Sequence, residues 1–142
     1  MILIVTAQFN AKITQPLEKS AIEVLEKAKI PFQIIKVPGA VELPITIQNS
    51  LLTNKFKAVI ALGCVIKGGT DHYEIVLKSC TEGLSRVALD EKIPVIHGVL
   101  ACSDFESAWE RRELGKSYAQ TAIEMIHILK KGIFLIMTFL KY

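Results

Sequence analysis

Two glycines, a threonine and a histidine fall within five residues, Gly68-Gly69-Thr70-Asp71-His72, and this run is where the chain could do chemistry. Glycine at 68 and 69 lets backbone N–H groups come close to a ligand, and Thr70 adds a hydroxyl donor. A helix opening at His72 would aim its free N–H groups and positive dipole end at the same point, which suits a phosphate. The imidazole beside it could take and return a proton. The plain alternative, a capping or structural histidine, carries less weight next to a glycine loop.

Other motifs fall away on inspection. Gly115-Lys116-Ser117 has the ending of a nucleotide-binding loop, but Glu110 stands where the first glycine is needed and no buried strand precedes it. His72, His97 and His127 are widely separated, and no Cys/His set has ligand spacing, so no metal site is expected. Neither a G-x-S-x-G elbow nor a G-x-G-x-x-G fingerprint occurs.

The elements that must position the loop are legible around it. Residues 59–66 are apolar throughout, which reads as a parallel strand buried on both faces and ending at the glycines. Similar runs at 2–7, 32–37, 58–66 and 94–100 alternate with helical segments, the pattern of a parallel sheet covered by helices on both sides. Ligands bind such sheets beyond the carboxyl ends of the strands. Phe9-Asn10 follows the first strand, where an aromatic either stacks on a flat heterocycle or simply covers the loop. Ala40, Val41 and Glu42 follow the second, and Glu42 is equally a helix-start residue. Cys64, Val65 and Ile66 end the third, residues 98–101 end the fourth, and Arg111 lies on the helix that follows. Four strand ends are expected to converge on one crevice. In its charged helix, Arg111 beside Arg112 has solvated surface as its bland reading.

The helices carry their own signals. Thr14 is expected to cap the first, with Pro16 in its first turn and Leu17, Ala21, Val24, Leu25 and Ala28 at helical spacing. A short helix follows Pro44, and a longer one spans 72–90 with Leu77, Cys80, Leu84, Val87 and Ala88 inward. Ser103-Asp104-Phe105-Glu106 has the form of a capping box. Helical character runs on to Arg112, stumbles near Gly115 and resumes with Ala119, Ala122, Ile123, Ile126 and Leu129 on one face. Lys130-Lys131-Gly132 reads as a helix stop. One domain over 1–132 is therefore expected, with an apolar tail over 133–142 that is loosely packed or forms an edge strand or subunit contact.

The whole chain sets bounds on function. Its 142 residues suffice for one core. A hydrophobic share of 51% and a mean hydropathy of +0.38 point to a sheet covered on both faces and to burial between subunits. A net charge of only +3 without a basic run gives no support to nucleic-acid binding and fits a small anionic ligand. Cys64, Cys80 and Cys102 form no C-x-x-C pair and suggest reduced thiols in a cytoplasm. The start of the chain shows no signal-peptide pattern, and the apolar run near its end is far short of the roughly 20 residues of a membrane helix.

Taken together, Phe9-Asn10, Val37-Pro-Gly-Ala-Val-Glu-Leu-Pro44, Ala61-Leu-Gly-Cys-Val-Ile-Lys-Gly-Gly-Thr-Asp-His-Tyr-Glu74, Pro94-Val-Ile-His-Gly-Val-Leu100, Glu110-Arg111 and Ala122-Ile-Glu-Met125 resemble the lumazine synthase family over roughly residues 2 to 131. The resemblance implies a flavodoxin-like three-layer α/β/α sandwich with a four-stranded parallel sheet. It implies a homo-oligomer, a pentamer or a shell of pentamers, with each site shared by two neighbours. The reaction would join 5-amino-6-(D-ribitylamino)uracil to 3,4-dihydroxy-2-butanone 4-phosphate without a cofactor. Phe9 would stack on the pyrimidine, and Ala40, Val41, Glu42, Cys64, Val65 and Ile66 would hold the uracil and ribityl chain. Gly69, Thr70 and Arg111 would hold the phosphate, and His72 would transfer protons. The family usually has an aromatic at Val41 and phenylalanine at His97, both facing substrate, and an arginine in place of Gln8 and of Lys67. Lys116 is the candidate for a lysine that the family carries after Arg111. A binder that has lost the chemistry and a structural shell subunit are the alternatives.

Overall fold

In the computed structural model, residues 1–69 and 71–140 are described, Phe134 by its backbone alone. Four strands, β1 (Ile2–Ala7), β2 (Phe32–Val37), β3 (Ala58–Ile66) and β4 (Val95–Cys102), form one parallel sheet in the order β2-β1-β3-β4. The bounds of the first three match the apolar runs, while β4 lies one residue later at its start and reaches Cys102. β1 and β3 are central and buried on both faces, which is why they read as unbroken hydrophobic runs.

Alternation along the strands builds two cores. Ile2 and Ile4 point to one side with Ile60, Leu62 and Cys64, under α1 (Ala11–Lys27), α4 (Phe105–Glu110) and α5 (Gly115–Phe139). Leu3, Val5, Val59 and Ala61 point to the other, under α2 (Leu43–Ser50) and α3 (His72–Glu91). Ile13, Leu17, Ala21 and Leu25 of α1 recur every four residues and are wholly buried. Full burial of such a Leu or Ile is worth about 1.5–3 kcal/mol. α1 and α5 meet closely at Gly115, where any Cβ would collide with the Leu17 carbonyl and the Ser20 hydroxyl.

Several helix ends differ from expectation. Thr14 is no cap: α1 begins at Ala11 behind Asn10, whose backbone is left-handed, and Thr14 is buried inside the helix. Pro16 consequently sits in the second turn rather than the first. Asp104, not Ser103, caps α4, accepting the Ser107 backbone N–H at 2.7 Å. Most visibly, Gly132 does not stop α5, which continues to Phe139. Gly132 does not take the left-handed conformation that ends a helix, so its cost of about 1 kcal/mol inside a helix weakens α5 without stopping it. The segment expected to be loose or an edge strand is thus helical to Phe139; Lys141 and Tyr142 lie outside the described residues.

Candidate active site

The strand order places a topological switch between β1 and β3, because the chain moves outward to β2 from one and to β4 from the other. A cavity of about 460 Å³ opens there, beyond the carboxyl ends of the strands. Ala7 and Phe9 line it after β1, Gly39, Ala40, Val41 and Glu42 after β2, and Cys64, Val65, Ile66 and Gly68 from β3 and its loop. His72, Tyr73 and Val76 close it from the first turns of α3. Three strand ends converge, not four: none of the described lining residues comes from β4.

Phe9 is held at the rim by its neighbour. Asn10 adopts φ 61° and ψ 47°, which asparagine tolerates better than most residues, and turns the chain sharply from β1 into α1. Its Nδ2–H donates to the Cys64 carbonyl at 2.8 Å, tying the β1 loop to the end of β3. Phe9 N–H donates to the Pro38 carbonyl at 3.0 Å, tying the same loop to the one after β2. With 72% of its surface bare, Phe9 presents a free ring beside the cavity rather than a plug in the core.

His72 is the first residue of α3, exposed and facing the cavity. Asp71 precedes it and makes no side-chain cap, and the Tyr73 and Glu74 N–H groups, in the first turn, have no acceptor within the helix. Gly68 and Gly69 are both exposed and do not adopt positive φ, and a Cβ at either would meet no neighbouring atom within 4 Å. Neither packing against the described residues nor backbone conformation demands glycine at either position. Thr70 lies outside the described residues.

The cavity is mainly apolar with few polar groups. Glu42 folds toward Gly39, whose Cβ would stand 3.1 Å from Glu42 Oε2. Burial, and secondarily the neighbouring Cys102, pushes the Cys64 thiol up to about 11, so it is protonated at neutral pH and offers no thiolate. No lysine or arginine is among the described lining residues.

The other expected site residues lie elsewhere. Gly69 is at the loop beside the cavity but not in its wall. His97 stands on the edge strand β4, exposed, with Nε2 2.9 Å from the Thr81 hydroxyl. It pairs with Ala61, five residues before the last β3–β4 pair, about 16 Å from the carboxyl edge. Arg111 is in the turn after α4, exposed, its guanidinium donating to the Ser107 carbonyl at 2.8 Å. Lys116 lies along α1 beside Glu23 and Lys27. Tyr73 and Val76 were missed by sequence reasoning, although positions 72, 73 and 76 share a helix face by i, i+3 and i+4 spacing.

The sequence pattern of 6,7-dimethyl-8-ribityllumazine synthase matches residues 1–130 of the 142. With the parallel sheet and the cavity at its switch point, this match makes the chain a member of the lumazine synthase family, transferases of riboflavin biosynthesis.

Proposed function

We propose that this cavity condenses 5-amino-6-(D-ribitylamino)uracil with 3,4-dihydroxy-2-butanone 4-phosphate to 6,7-dimethyl-8-ribityllumazine, releasing phosphate and water. The supporting observation is His72 at the first position of α3, on an apolar cavity that also carries a bare aromatic ring. Phe9 stacks on the pyrimidine, while Ala40, Val41, Glu42, Cys64, Val65 and Ile66 hold the ring edge and ribityl chain. The phosphate sits at Gly69, Thr70 and the N-terminus of α3.

An amine adding to a ketone, losing water, expelling phosphate and closing a second ring needs orientation and proton movement, not a redox or metal cofactor. Holding the two substrates together supplies most of the rate. His72 takes a proton as the amine adds and returns one as water leaves. Phosphate departs as an anion, and donors already aimed at it lower that barrier.

A dianionic phosphate needs a cation that the cavity's own described wall lacks. Arg111 and His97 are both exposed and away from the cavity of their own chain, which supports a shared site in a pentamer, each neighbour supplying the pair. The domain over 1–132 carries all of these residues. Its three unpaired, buried cysteines fit the reducing cytoplasm.

Subunit complementation tests the reading. His72→Ala should slow lumazine formation without abolishing it, and Arg111→Ala should raise KM for the butanone phosphate. Co-assembled from the two variants, mixed oligomers should regain part of the activity, because some sites receive both intact residues. No recovery in verified mixed oligomers would place Arg111 and His72 in the same subunit's site, against the proposal.

A further inference from the structure

α5 outruns the domain it belongs to. From its crossing with α1 at Gly115, it continues past Lys116 and Gln120 beside Glu23 and Lys27. α1 extends only from Leu17 to Lys27 beyond that crossing, about 15 Å, whereas α5 extends from Gly115 to Phe139, about 36 Å. Ala119 and Ala122 are buried, and Ile126 still packs on the core. From His127 to Leu140 every described side chain is exposed.

The apolar stripe does not end where the cover ends. Ala119, Ala122 and Ile126 are followed at the same alternating spacing of three and four by Leu129, Ile133, Ile136 and Leu140. That is the seam of one helix against another. Exposure rises from 41% at Leu129 to 81% at Leu140. With Met137 and Phe139, these side chains bare on the order of 700 Å² of apolar surface, above the largest patch of a typical monomer and near what each partner gives to a standard interface.

We propose that this overhang is an interface between copies of the chain, the stripe of one copy covered by that of another. A membrane fits less well. The run from Ile133 to Leu140 rises about 12 Å, and no described helix is long and apolar enough to cross a bilayer. Thr138 is its only polar residue, and Lys130 and Lys131 precede the run, so these eight residues would have no polar face of their own to turn to the headgroups. Membership of an oligomeric family supplies the partner at high local concentration. Apart from Leu129 the contact lies past the matched residues 1–130, and it joins copies whether or not the cavity is catalytic.

Ile136→Cys introduces an exposed thiol beside three buried ones. With a flexible bis-maleimide the full-length variant should give a band of twice the chain mass on a denaturing gel. Glu26→Cys, on the exposed side of α1, should give at least tenfold less and so controls for collision. Adding Ile133→Asp to Ile136→Cys should remove the doubled band while helix content and lumazine formation stay unchanged. A band no stronger than the Glu26→Cys control, or one indifferent to Ile133→Asp, would overturn the proposal. So would flotation of the unmodified chain with phosphatidylglycerol vesicles in the absence of cross-linking.

Discussion

Asn10→Gly and Asn10→Ala should damage the protein by different amounts, because Asn10 contributes a backbone conformation and a hydrogen bond at once. Its φ of 61° is left-handed, and its amide spans the gap from the β1 loop to the Cys64 carbonyl at 2.8 Å. Glycine keeps the turn without strain but loses the bond, worth about 1 kcal/mol net, and adds roughly 0.5–1 kcal/mol of unfolded-chain freedom. Alanine loses the same bond and is also held in a conformation that costs about 1–2 kcal/mol. The expected losses are therefore about 1.5–2 kcal/mol for glycine and about 2–3 kcal/mol for alanine. Urea unfolding at one fixed protein concentration measures both, since oligomerisation contributes to the midpoint. Because the same amide fixes the loop bearing Phe9, both variants should also raise KM for the ribitylaminopyrimidine severalfold. Alanine as stable as glycine would refute the backbone argument. An unchanged KM in both variants would refute the claim that Asn10 positions Phe9.

Three further outcomes follow from packing and ionisation. Gly115→Ala drives a methyl group into the Leu17 carbonyl and the Ser20 hydroxyl, so chemical denaturation should show a loss of about 3 kcal/mol or more as α1 and α5 are forced apart. Thr6 buries a hydroxyl with no hydrogen-bond partner among the described residues, so Thr6→Val should leave stability unchanged or raise it by about 1 kcal/mol, where a paired threonine would lose stability. Cys64 and Cys80 are both pushed from 9.0 to about 11 by burial; their neutral forms are favoured on folding, so that stability is present below pH 9 and is lost as pH rises through 11. Replacing Cys80 by alanine should flatten the decline in unfolding midpoint across that window.

What the amino-acid sequence revealed depended on whether the signal was local. β1 and β3 announce themselves because central strands in a covered parallel sheet are apolar on both faces, β2 by its Phe32, Ile34, Ile35 and Val37 despite Gln33 and Lys36 on the exposed edge, and α3 because glycines lead into it. The start of α1 misled because Thr14 has a capping side chain, yet its hydroxyl is buried and the turn is made by left-handed Asn10 four residues earlier. Gly132 misled for the converse reason: glycine permits a left-handed helix end but does not require one. Phe9, Ala40, Val41, Glu42, Cys64, Val65, Ile66 and His72 meet in one cavity because each follows or closes a strand end at the switch point. His97 and Arg111 do not: His97 sits five residues before the last β3–β4 pair, a distance the apolar run did not reveal, and Arg111 falls in the turn after α4, bonded to the Ser107 carbonyl. Tyr73 and Val76 needed the helix face rather than the motif.

The most direct test mixes the purified protein with 5-amino-6-(D-ribitylamino)uracil and 3,4-dihydroxy-2-butanone 4-phosphate and follows lumazine absorbance against the uncatalysed reaction. Acceleration by the unmodified chain that vanishes in a folded, oligomeric His72→Ala, Arg111→Ala double variant is the result expected. A rate equal to the uncatalysed one, in a folded and oligomeric sample of the unmodified chain, would contradict the assignment of catalysis to this cavity.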